Sequence, residues 1–176
     1  RWVCLTNKPE DLRKTDAAAM ECINPDRREQ DRDNYIWIRD AEKNELVVGT
    51  QARILYQDAA GRLAIALRFN EMVRNSEVGP IMLGRDHHDV SGTDSPFRET
   101  SNIRDGSNVM ADMAVQCFAG NAARGMSLIA LHNGGGVGIG KSINGGFGMV
   151  LDGSERVDNI LRSAMTWDVM GGVARR

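Results

Sequence analysis

The sequence predicts an α/β domain, a layered α/β/α arrangement with a mostly parallel sheet and ligand loops at the strands' carboxyl ends. Three observations predict it. Short apolar runs alternate with segments of helical period. Two long segments without period each follow a predicted strand, where ligands sit in open α/β sheets. The chain has 176 residues, 41% apolar and 26% charged, which fits a single soluble domain over 1–176.

Taken in order, Asn7 or Lys8 caps a helix that opens with Pro9, Glu10 and Asp11, since proline suits a first turn and acids suit the helix N-terminus. Asn24 to Asn34 reads as a loop or short helix, and Tyr35 to Glu45 as helical. Leu46 to Val48 and Ala52 to Tyr56 read as strands separated at Gly49, and Asp58 to Gly61 as a turn. Leu63, Ala66, Leu67, Asn70 and Val73 recur at helical spacing and predict a helix over Arg62 to Glu77. Pro80 to Leu83 suits a buried strand, and Val109 to Ala119 a helix stopped by Gly120. Ser127 to Leu131 and Phe147 to Leu151 are strands. Asp152 and Glu155 form a capping box for a last helix with Val157, Ile160, Leu161, Ala164 and Met165 on one face.

Composition narrows the function. A net charge of −2 gives no electrostatic case for nucleic acid or an anionic membrane as partner. No apolar run approaches the ~20 residues of a membrane span. Cys4, Cys22 and Cys117 are odd in number and lack metal-ligand spacing, which fits reduced thiols in a cytoplasmic protein. The opening Arg1-Trp2-Val3-Cys4-Leu5 resembles neither a translation start nor a signal peptide, so the expectation is a segment of a longer chain.

The two irregular segments carry the chemistry. Gly84 to Asp89 packs Arg85, Asp86, His87, His88 and Asp89 together, and acids and imidazoles are the usual proton carriers. A polar loop satisfying its own backbone is the plain alternative. Adjacent His87 and His88 point apart on an extended chain, and no further ligand cluster stands nearby, so no metal is expected. Arg98 offers a planar fork for a carboxylate, or a structural pair with Glu99 or Asp94. A hydrolase triad lacks its nucleophile elbow.

Thirteen of the 19 glycines lie from Gly120 onward, most of them between His132 and Gly148. Such residues let backbone amides approach a phosphate or ring. Gly135 to Ser142 matches the phosphate loop of NTPases, but the glycines after Lys141 make the required helix improbable. A non-catalytic domain whose glycine loop binds an anion or partner protein is the alternative to an enzyme.

Three runs, GRDHHDVSGTDSPFRETSNIRDG, HNGGGVGIG and NGGFGMVLDG, resemble the signature loops of the urocanase family, and RWV, PEDLRKTD and RFNEMVRN extend the likeness over 1–176. The His-His and Asn-Gly-Gly variants resemble the animal-type branch. The resemblance implies the C-terminal part of a homodimeric cytosolic enzyme of histidine breakdown. That enzyme adds water to urocanate to give imidazolonepropionate, with tightly bound NAD⁺ as an electrophile. It implies Asp86 as the leading proton carrier with His87 beside it, and Gly135 with Gly134 and Gly136 bordering the NAD. Arg1, Arg98 and Arg53 are implied candidates around the substrate. Leu55-Tyr56 stands where many bacterial members carry Cys-Trp, so no cysteine here inherits that position. The chain has no dinucleotide fingerprint, so the Rossmann domain and amino-terminal region of the family are absent from it. The isolated chain is therefore expected to be inactive and to depend on the remainder of its own polypeptide.

Overall fold

A computed structural model describes residues 1–46, 50–84, 93–95, 112–132 and 143–175. Its elements are β1 (Trp2–Cys4), α1 (Pro9–Cys22), α2 (Glu29–Arg39), β2 (Ala52–Arg53), α3 (Ala59–Arg74), β3 (Ile81–Gly84), β4 (Thr93–Ser95), α4 (Asp112–Ala123), β5 (Leu128–His132), β6 (Ile143–Leu151) and α5 (Glu155–Arg175). They group into two compact units, 1–83 with 150–165 and 84–149 with 166–176.

In the first unit β1 lies between β2 and β3 and is antiparallel to both, with Trp2 opposite Arg53 on one side and Leu83 on the other. The mixed helix and strand content agrees with the α/β class. The mostly parallel sheet does not stand, because the described ladders are antiparallel in both units. The physical reason is a count. One helix between strands returns the chain in its starting direction, while a pair of helices reverses it. Two helices, α1 and α2, separate β1 from β2. The single helix α3 does join two strands of like direction, β2 and β3, but β1 is inserted between them.

The core of this unit forms where the strand period meets the helix period. Trp2 and Cys4 share the buried face of β1, and the Trp2 ring meets Phe69 of α3 edge-on with centroids 5.1 Å apart. The indole N–H donates to Thr15 Oγ1 at 3.0 Å, so the one polar atom of this buried aromatic is satisfied. Pro9, Glu10 and Asp11 do open α1. Asp11 looks outward from its helix and accepts from Thr6 Oγ1 and the Gly79 amide. The expected turn at 58–61 is the start of α3, capped by Asp58, which accepts from the Gly61 amide at 2.8 Å. Arg27 and Arg28 brace α2 to that cap: both bind buried Asp31 and Asp58. Their hydrogen bonds hold the Asp31 carboxyl well below the usual carboxylate range.

α5 starts one residue beyond Ser154, and Ser154 rather than Asp152 caps it, its hydroxyl accepting from the Val157 amide. Asp152 instead accepts from the Ser154 amide. Just before this cap, fully buried Asn70 accepts from the Gly153 amide at 2.8 Å and donates to Ser154 O and Asp158 Oδ1. Arg74 donates to Gly153 O and pairs with Asp158.

In the second unit β6 lies between β4 and β5, antiparallel to each. Two glycine readings are corrected here. Gly120 does not stop α4, which continues to Ala123. A Cβ on Gly120 would stand 2.1 Å from the Trp167 ring, so the absent side chain is a seat for an aromatic. Gly145 and Gly146 belong to strand β6 rather than to a loop. A Cβ on Gly145 would approach Ala114 O within 2.8 Å, so α4 lies directly on the strand there. β6 thus occupies the place where a phosphate loop needs its helix. Ala114, Cys117, Met126, Phe147 and Met149 form the core.

Leu46 is not in a strand, and the strand expected over 52–56 is limited to β2. No cysteine is in a disulfide. Among the described residues no helix is long and apolar enough to cross a membrane, and no group of three acid, imidazole or thiol side chains is placed for a metal.

Candidate functional site

In the first unit a cavity of about 510 Å³ opens beside the short β1–β2 ladder, lined by Arg1, Val3, Trp37, Leu46, Thr50, Ala52, Arg53 and Ile54. Strand alternation explains much of this lining. Val3 pairs with Ala52, so these two share one face, and residues two along, Arg1 and Ile54, fall on the same side. Trp37, 45% exposed on α2, and Leu46 add apolar wall. The hollow is therefore mostly apolar with two guanidinium groups in its boundary, a lining suited to a small, partly apolar anion.

Arg53 belongs to the opposite face of the ladder, where it pairs with Trp2. Its side chain is only 3% exposed and turns toward α1. There Nη2 donates to Asp16 Oδ2 at 2.8 Å, and Nε is shared by both Asp16 oxygens at 3.1 Å. Nη1 donates to the Leu46 carbonyl at 2.6 Å. The fork is thus committed to an internal acid and a backbone oxygen, and it ties β2 to α1. Taking the pair out of water is costly, and burial dominates at the acid: the Asp16 carboxyl is pushed up to about 6 despite the opposing pull of Arg53.

Of the residues expected from the sequence, Arg1 and Arg53 come together on this cavity. Asp86, His87, Arg98, Gly134, Gly135 and Gly136 lie outside the described residues, as do Lys141 and the pair Val47-Val48. Asp16 went unread as a site residue, although it closes the family-like run PEDLRKTD. The available signal was that a near-buried arginine on a strand needs a carboxylate, and α1 repeats toward that strand through Leu12, Thr15 and Asp16.

Fold and cavity together define an α/β domain that presents a cation-bearing, largely apolar hollow, and comparison with known proteins places it. The chain belongs to the urocanase family: a family model described as the urocanase C-terminal domain matches residues 1–176. It is 56% identical to a probable urocanate hydratase of Caenorhabditis elegans, covering all of this chain and 28% of that protein. It is 54% and 53% identical to the urocanate hydratases of Mus musculus and Homo sapiens, covering all of this chain and 27% of each. The chain thus spans little more than a quarter of these relatives' length, and the animal-type likeness read from its loops agrees with them.

Proposed function

We propose that this chain forms one wall of the active site of a hydro-lyase that adds water to urocanate to give imidazolonepropionate, as part of a larger cytoplasmic, homodimeric protein of histidine breakdown. The observation that carries the reading is the arginine-bearing cavity in a chain of this family. Urocanate combines a flat ring with a carboxylate, and the hollow combines Trp37, Val3, Leu46 and Ile54 with Arg1 and Arg53. Arg1, with Arg98, is the candidate for the carboxylate. Arg53 contributes charge and rigidity to the wall, since its fork is already engaged. Asp86 is the proton carrier, with His87 beside it.

The family's NAD⁺ does not find its seat among the described residues. A dinucleotide rests its pyrophosphate on a helix N-terminus. Here α1 and α2 open with Glu10 and Asp11 and with Glu29 and Asp31. Asp58 occupies the start of α3 and Glu155 the first turn of α5. Such acids repel a phosphate. The remainder of the polypeptide is the place for the cofactor, with Gly134, Gly135 and Gly136 as the proposed border from this chain. No step of the reaction is assigned here through it.

The test follows urocanate's ultraviolet absorbance with NAD⁺ present. The whole protein is expected to consume urocanate, and residues 1–176 alone are expected neither to consume it nor to retain NAD⁺ after gel filtration. A whole protein inert toward urocanate overturns the functional reading. Turnover by the isolated chain overturns its role as a single wall.

A further inference from the structure

Arg53 reaches the cavity wall with an acid behind it, and that acid has no other cation. Asp16 is 8% exposed and binds the guanidinium through both oxygens. The charged and titratable groups acting on it are few: Arg53 from β2, and Glu42 from the turn after α2. Glu42 is itself paired with Arg13 at 2.9 Å on the exposed side. Cys4, from β1, faces the same acid and is held neutral by burial.

We propose that Asp16 is the positioning residue of this cavity: it fixes the Arg53 guanidinium and, by gaining or losing one proton, sets whether that guanidinium counts as a net positive charge toward a carboxylate in the hollow. The reading rests on the cavity's being the anion subsite of the proposed function.

The charges follow directly. Arginine keeps its proton throughout the physiological range. With Asp16 ionised, the pair sums to zero and the hollow feels little from it. With Asp16 protonated, the pair sums to +1 a short distance from the wall. Burial places this change near pH 6 rather than near the ordinary aspartate value of 3.8. A carboxylate entering the hollow therefore binds more tightly as pH falls through 6. By linkage its binding draws a proton onto Asp16, so the anion and the proton arrive together.

The experiment measures propionate binding to the whole protein by calorimetry at pH 5.5 and 7.5, for wild type, Asp16→Asn and Asp16→Glu. Propionate isolates the carboxylate from the substrate's imidazole, which titrates in the same range. Removing one unit charge beside a partly hydrated site changes affinity by on the order of tenfold. Wild type is expected to bind about that much more tightly at pH 5.5 than at 7.5. Asp16→Asn, neutral at both pH values, is expected to bind tightly at both. Asp16→Glu is expected to restore the dependence. Circular dichroism melts establish that each variant is folded; if Asp16→Asn is not, the comparison of wild type with Asp16→Glu and proton uptake in buffers of different ionisation enthalpy decide.

A wild type whose binding does not change with pH, a folded Asp16→Asn that keeps the wild-type dependence, or no binding at either pH overturns the inference. Urocanate turnover by wild type, measured alongside, tests the functional reading separately.

Discussion

Replacing Asp86 by asparagine in the whole protein is expected to slow urocanate hydration by about 10²–10⁴-fold, the usual cost of losing a general acid or base. The argument is chemical. Adding water across a conjugated system requires protons delivered to carbon as well as oxygen bound. A positioned group that both gives and takes a proton is needed, and a carboxyl does this where an amide cannot. Asp86 follows the end of β3 at Gly84 by two residues and stands in sequence beside Arg85 and His87. The substitution is nearly isosteric, so the fold and bound NAD⁺ are expected to persist. The assay is turnover together with cofactor content of the purified variant. Turnover within threefold of wild type removes Asp86 from the role. Loss of NAD⁺ along with activity makes Asp86 a cofactor-retaining residue and moves proton transfer to His87 or His88.

Much of the first unit was legible because its signals are local. The apolar spacing of Leu63, Ala66, Leu67, Asn70 and Val73 does give a helix, and Pro9 with Glu10 and Asp11 does open one. The failures have a common cause: local chemistry was read where a distant neighbour decides. Gly120 is a helix breaker by propensity, at about 1 kcal/mol against alanine. The Trp167 ring over it removes room for any side chain. Gly145 reads as loop in a glycine run, yet the backbone of α4 at Ala114 needs the space above the strand. Strand direction was misread because parallel pairing was inferred from alternation, while the number of helices between strands sets direction.

The site follows the same pattern. Arg1 and Arg53 were picked from likeness to a family, and the cavity brings them together. Likeness could not say that Arg53 points to the other face of its ladder and spends its fork on Asp16, because that depends on the register Trp2 to Arg53. Several family-like runs turn out to hold the fold itself. Thr15 and Asp16 of PEDLRKTD receive Trp2 and Arg53. Asn70 of RFNEMVRN receives the glycine of the NGGFGMVLDG run.

That last meeting sets the largest stability effect expected from a single methyl group. Gly153→Ala is expected to destabilise the first unit by about 2–5 kcal/mol, combining the left-handed backbone penalty with overpacking. Gly153 has φ +83°, a conformation that L side chains rarely adopt. Its added Cβ would stand 2.8 Å from both Cα and N of Arg74. Those are backbone atoms at the end of α3, so relief requires moving the helix or the turn. Either movement stretches the Gly153 amide from Asn70 Oδ1 and its carbonyl from Arg74 Nε, now at 2.8 and 2.7 Å. A buried amide left without its acceptor costs about 1–3 kcal/mol more. Gly61→Ala is the control. Its Cβ would meet Gln57 Oε1 at 2.3 Å, the far end of a flexible side chain that can rotate away. Gly61 lies in α3, where alanine is the better helix former by about 1 kcal/mol, so near-neutrality is expected. In thermal melts Gly153→Ala should fall by about 5–15 °C while Gly61→Ala stays within a few degrees. Equal small shifts in both variants would show that the Arg74–Gly153 contact relaxes freely, and that Asn70 does not fix this turn.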